Sequence, residues 1–154
     1  MRLAVCAVGR LRRGPEKDLL DDYAGRTLKA GRALSLGPLD VTEVEAPGGP
    51  GPEGERLARA VPDGAAVVAL DERGRALTSP ELAAWLARVR DDGARDCAFL
   101  IGGADGLDPA LVRRADLVLS FGPMVWPHML ARAMLAEQLY RATQILAGTP
   151  YHRA

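Results

Sequence analysis

The most constraining stretch of this chain is an apolar run that ends abruptly in glycine. Phe99-Leu100-Ile101 leads straight into Gly102-Gly103-Ala104-Asp105-Gly106-Leu107. Bulky apolar residues in succession suit a strand buried on both faces, and the glycines beyond it let backbone come close to whatever lies there. Similar runs recur along the chain. Leu3 to Val8 ends at Gly9, Val41 to Val44 reads as a second strand, Ala65 to Leu70 as a third before a turn at Asp71-Glu72-Arg73-Gly74, and another enters Leu119-Ser120-Phe121-Gly122-Pro123-Met124.

Longer helical patterns separate these runs. They cover Glu16 to Leu34, Glu55 to Val61, and Ser79-Pro80-Glu81 onward to about Asp92, where Ser79 is the expected cap. Asp108-Pro109 opens a short helix, and Pro127 opens the last, which Gly148 and Pro150 close. The segment from Ala46 to Gly54 is rich in proline and glycine and reads as a mobile surface loop. Strands alternating with helices imply an α/β fold, a mostly parallel sheet covered by helices on both faces.

A length of 154 residues fits one domain, residues 1–154, with a core that needs no staples. With 48% hydrophobic and 26% charged residues the chain is globular rather than disordered. Cys6 and Cys97 each lie in an apolar run, with no Cys-x-x-Cys or His/Cys cluster nearby, so both read as reduced core residues and no metal is expected. The start lacks the h-region of a signal peptide, and no stretch approaches the roughly 18 apolar residues of a membrane span, so a cytoplasmic protein without membrane contact is expected. A formal charge of zero does not decide for or against a nucleic-acid partner, because a basic patch can sit inside a balanced total.

In open α/β sheets ligands bind beyond the carboxyl ends of the strands. Three such ends are distinctive here: Leu70-Asp71, Ile101-Gly102-Gly103, and Leu119 to Met124. Gly-Gly-x-x-Gly fits a tight turn before a capped helix as well as it fits a ligand loop. It is not a phosphate loop, since the Lys and Ser/Thr that hold phosphate and magnesium are absent. The only two histidines, His128 and His152, are candidates for proton exchange near neutral pH. At a helix start His128 equally suits a backbone-capping role, and the tail Tyr151-His152-Arg153 lies where chain ends usually fray.

Taken together, the glycine run 99–107, Leu119-Ser120, Pro127-His128, Glu137-Gln138-Leu139-Tyr140-Arg141-Ala142, Tyr151-His152-Arg153, Ala4 to Gly9 and Leu70-Asp71 resemble the large-subunit ribosomal RNA pseudouridine methyltransferases. These belong to the SPOUT class, and the likeness spans nearly the whole chain. It implies a C-terminal trefoil knot and a homodimer packed through the knot region. The last helix would supply part of that surface, with Leu130, Met134, Leu135 and Leu139 among its apolar positions. Their spacing equally suits ordinary packing in the chain's own core, where most of them are expected.

The resemblance further implies S-adenosylmethionine bound by Leu70, Gly102, Gly103 and the run Leu119, Ser120, Phe121, Gly122, Pro123 and Met124. It implies methyl transfer to N3 of a pseudouridine in the intersubunit-bridge hairpin of the large-subunit rRNA, within the assembled ribosome. His128, Tyr151, His152 and Arg153 are the implied catalytic residues, the tail approaching the partner subunit's site. Family members often carry lysines after the second strand, where this chain has proline and glycine from Pro47 to Gly54. Arg10, Arg12, Arg13, Arg26 and Lys29 are the alternative positive surface. From the residues alone, a flavodoxin-like oxidoreductase and a non-catalytic RNA-binding dimer stay open as other readings.

Overall fold

Side chains along a strand point alternately to opposite faces, and here that alternation divides two cores. In the computed structural model, which describes residues 1–153, Leu3, Val5 and Ala7 of β1 (Arg2–Val8) enter one cluster while Cys6 and Val8 enter the other. In β4 (Asp96–Ile101), Cys97, Phe99 and Ile101 join the first cluster and Leu100 the second. Every residue of β4 is buried, as its unbroken apolar run requires.

The remaining strands are β2 (Leu39–Val44), β3 (Ala66–Ala76) and β5 (Leu117–Ser120). All pair in parallel, in the order β2-β1-β4-β3-β5. The first core lies under α1 (Pro15–Gly31), α3 (Ser79–Asp91) and α5 (His128–Leu146), and the second under α2 (Pro50–Ala60) and α4 (Pro109–Arg114). The expected α/β architecture with both faces covered is therefore present. On α5, Leu135 and Leu139 are fully buried in their own chain's core, where each contributes about 1.5–3 kcal/mol. They leave Leu130 and Met134 as the half-buried apolar residues of that helix's outer side.

Three local expectations need correction. The segment read as a mobile loop from Ala46 to Gly54 becomes helical at Pro50. Pro50 falls in the first turn, where a missing N–H costs nothing, and the Glu53 N–H reaches the Gly49 carbonyl at 3.2 Å. Gly54 is buried in that helix because α2 presses on the start of α4. A Cβ at Gly54 would lie 2.8 Å from Asp108 Cβ.

The turn expected at Asp71 to Gly74 is a bulge within a strand that continues to Ala76, for Leu119 pairs first with Leu70 and again with Arg75. The cap of α3 is Thr78 rather than Ser79. Thr78 Oγ1 accepts the Glu81 N–H at 3.3 Å, and the Glu81 carboxylate accepts the Thr78 N–H at 2.7 Å. Ser79 is freed to donate to Gln138 Oε1 at 2.7 Å, which ties α3 to α5.

Candidate active site

A cavity of about 380 Å³ opens beyond the carboxyl ends of β4 and β5 and beside the bulge within β3. Of the residues expected to hold a cofactor, Leu70, Gly102, Gly103, Leu119, Phe121, Gly122 and Met124 line it, and so does His128 from the first turn of α5. The Gly103–Gly106 turn closes one wall, with the Gly106 N–H 3.1 Å from the Gly103 carbonyl. Pro123 and Ser120 do not line this cavity. Ser120 is buried and braces the wall: its hydroxyl sits 3.0 Å from the Glu72 carbonyl and accepts the Gly122 N–H at 3.0 Å.

Several further residues line the cavity that the sequence reading did not assign to the cofactor. Asp71, Glu72 and Asp105 bring carboxylates to the cavity, and Val125 and Trp126 bring apolar surface to its rim. Asp71 and Glu72 reach it only because the bulge in β3 swings them out of the ladder. Arg73 holds the Asp71 carboxyl below its ordinary range, chiefly through side-chain hydrogen bonds at 3.1 Å, so Asp71 stays ionised. The residues fit S-adenosylmethionine. Apolar walls and glycine backbone suit an adenine ring, and the carboxylates complement the positive sulfonium and amino groups.

An ion pair with one buried and one partly exposed partner stands behind this site. Arg132, one turn along α5 from His128, is completely buried, and its Nη1 lies 3.0 Å from Glu43 Oε2 on β2. Nη2 donates to the Val8 and Gly9 carbonyls at 2.6 and 2.8 Å. Burial pulls the guanidinium below its ordinary value, against the opposing pull of Glu43. Glu43 also accepts the Leu11 N–H.

The tail lies elsewhere. Tyr151 donates its hydroxyl to Glu137 Oε1 at 3.0 Å and packs edge-on against Tyr140, ring centroids 4.9 Å apart. Arg141, paired with Glu137 at 2.6 Å, stacks 4.8 Å over the Tyr151 ring and approaches His152 Nδ1 at 3.3 Å. Burial, then hydrogen bonding with Tyr23 and to the Glu137 carboxylate, pushes the Tyr151 phenol well up. Arg153 is exposed. Of the four residues expected to act on substrate, only His128 lies at this chain's own cavity.

A second, larger groove of about 570 Å³ runs between α1, the start of α3 and α5, walled by Leu19, Leu82, Leu130 and Met134 and edged by Glu137. It shares Leu119, Phe121 and Gly122 with the first but has neither the Gly102-Gly103 backbone nor a histidine. The smaller cavity is therefore the candidate active site.

A family model described as Predicted SPOUT methyltransferase matches residues 1–152. The chain belongs to the SPOUT methyltransferase family. Its cofactor is accordingly S-adenosylmethionine. Two curated relatives carry the name Ribosomal RNA large subunit methyltransferase H. The one from Roseobacter denitrificans is 61% identical over 155 residues, and the one from Paracoccus denitrificans 63% over 155. Each alignment covers 99% of this chain and 99% of the relative.

Among solved structures, a probable methylase family protein from Haemophilus influenzae Rd KW20 superposes with a TM-score of 0.53 at 11% identity, over 99% of this chain and 70% of that one. At that identity the likeness concerns the fold alone. No helix among the described residues is long and apolar enough to cross a membrane, and no group of three His, Cys, Asp or Glu among them has the arrangement of a metal site.

Proposed function

We propose that this SPOUT methyltransferase transfers a methyl group to N3 of a pseudouridine in the intersubunit-bridge hairpin of large-subunit rRNA, in the cytoplasm and on the assembled ribosome. The observation that carries the reading is the gathering of seven expected cofactor residues and His128 around one cavity, in a chain alike from end to end to relatives named for rRNA methylation. When bound, S-adenosylmethionine supplies an electrophilic methyl on a sulfonium sulfur. The chain's own residues orient that group and the nucleotide for in-line displacement, and positioning of this kind supplies much of the rate.

Gly102 and Gly103 offer backbone, while Asp71, Glu72 and Asp105 offer charge. His128, at the mouth of the cavity, is a candidate to accept the N3 proton. Tyr151, His152 and Arg153 act on the partner subunit's site. This assignment is supported by the anchoring of Tyr151 and His152 on α5, apart from the chain's own cavity. The groove edged by Glu137, with Leu19 exposed beside it, is the apolar surface that a second copy covers. Threading of the C-terminal segment into a trefoil knot agrees with the path of the chain, which leaves the sheet edge at β5 and carries Arg132 back to the ends of β1 and β2.

The test is transfer of radiolabelled methyl to ribosomes from a strain lacking the modification, with the labelled base located by nuclease digestion and mass spectrometry. Label at pseudouridine N3 is expected, abolished in His152→Ala and Arg153→Ala. Mixed dimers of tail-deleted and cofactor-site subunits should recover activity, because one composite site is then intact. Absence of label with the unmodified protein refutes the function, and failure of the mixed dimers refutes the shared site.

A further inference from the structure

Between β1 and α1 the chain presents Arg10, Arg12 and Arg13 to solvent around a single buried residue, Leu11. None of the three arginines belongs to an ion pair among the described residues. The loop is nevertheless held at two points by one pair of side chains. Arg132 grips the Val8 and Gly9 carbonyls at its start, and Glu43 accepts the Leu11 N–H in its middle. The same Arg132 sits on α5 one turn from His128, and a Cβ at Gly9 would fall 3.9 Å from His128 Nε2. The root of the arginine loop is thus adjacent to the candidate active-site histidine.

Stability alone is a poor account of this pair. Arg132 is 0% exposed, and its Nε is a buried donor without a partner, an arrangement that burial penalises. With the Glu43 side chain 35% exposed, solvent weakens the attraction while Arg132 still bears the cost of burial, so the energetic return of the pair is small. What it does provide is geometry. One planar guanidinium joins the ends of β1 and β2 to the start of α5.

We propose that Arg132 and Glu43 are positioning residues that set the Arg10–Arg13 loop, as a docking point for RNA phosphates, in fixed register with the cavity at His128. Arginine is suited to phosphate by its planar, bidentate donors. Arg73 at the cavity is paired with Asp71, which leaves the carboxylates of Glu72 and Asp105 opposing phosphate there, so anchorage of an anionic substrate falls to a cationic loop beside it. The proposal rests on the RNA-methylating function above.

The experiment compares the wild-type enzyme with Glu43→Ala, Glu43→Gln, Arg10→Ala/Arg12→Ala/Arg13→Ala, and the combination of Glu43→Ala with the triple change. Cofactor affinity is read by calorimetry, and ribosome KM, kcat and the salt dependence of ribosome binding in parallel. Glu43→Ala should raise the ribosome KM and flatten the salt slope by about one unit for each phosphate the loop no longer engages, leaving cofactor Kd within about twofold. It should add little to the triple arginine variant, since both act through one loop. Glu43→Gln, whose amide oxygen still accepts from Leu11 and Arg132, should recover most of the ribosome KM.

Arg132→Lys provides a second route should Glu43→Ala fail to fold. It keeps the buried charge but loses the fork, and should give the same pattern with smaller changes. Equal loss of cofactor and ribosome binding, or full additivity with the arginine changes, overturns the proposal while wild-type methyl transfer leaves the function standing. No methyl transfer by the wild type overturns both.

Discussion

Replacing Gly102 by alanine tests whether the glycine pair after β4 is built for close backbone approach. A Cβ there would lie 2.4 Å from Gly106 C, 2.5 Å from Gly106 O and 2.7 Å from Leu107 N. All three are backbone atoms of the turn that walls the cavity, so relief requires the turn to move rather than a side chain to rotate. Overpacking of this kind costs about 1–3 kcal/mol, offset by about 0.4–1 kcal/mol from a less flexible unfolded chain.

The net of about 1–2 kcal/mol corresponds to a fall in Tm of about 2–8 °C for a domain of this size. Displacement of the turn should also weaken S-adenosylhomocysteine binding about tenfold, or about 1.4 kcal/mol, by calorimetry. Gly103→Ala is the matched control. Its Cβ would meet Val8 Cγ1 at 3.1 Å and the Glu53 carboxylate at 3.4 Å, both side-chain atoms able to shift. Unchanged Tm and affinity in Gly102→Ala, or a larger loss in Gly103→Ala, would refute the reasoning.

Ser120→Ala should cost about 1–3 kcal/mol in chemical denaturation, because the Gly122 N–H loses its acceptor and the loop loses its tie to Glu72. Burial pushes the thiols of Cys6 and Cys97 to about 11 and about 12, so both should resist a thiol reagent at about pH 8 until guanidinium unfolds the chain. Their raised values mean a contribution to stability complete below the unfolded value of 9.0 and lost as pH rises through 11 to 12; Cys6→Ala/Cys97→Ala should flatten that alkaline decline in thermal melts. The Thr78 backbone N–H, then its hydroxyl, holds Glu81 below its ordinary 4.5. That contribution is present above 4.5 and lost as pH falls through the lowered value, so the Tm gap between wild type and Glu81→Gln should narrow in acid.

Strand and helix were legible wherever the chain's own periodicity matched its burial. The run Cys97 to Ile101 is buried throughout, and Asp108 caps α4 through a 2.8 Å bond to the Ala110 N–H, as Asp108-Pro109 suggests. Proline and glycine misled where tertiary contact reversed their usual meaning. Gly54 looks like a helix breaker until Asp108 is placed against it, and the apparent stop at Asp71 hides a strand resumed by pairing with β5. That most of the apolar positions of α5 serve the chain's own core was legible, but that Leu135 and Leu139 do so while Leu130 and Met134 stay half-exposed was decided only by the seating of α5 on the sheet.

By itself, then, the sequence determined the α/β class, the glycine-ended strands and the residue types available to a cofactor, because these depend on local propensity and short-range pattern. Tertiary structure alone decided which of those residues share a cavity. His128 meets Gly102 and Leu70, while Tyr151 and His152 lie with Arg141 and Glu137. It also joined Arg132 to Glu43 across 89 positions of chain. The physical reason is that periodicity encodes which face a residue occupies, whereas a site depends on which strand ends become neighbours. In a sheet ordered β2-β1-β4-β3-β5, that adjacency is not the order in which the strands are written.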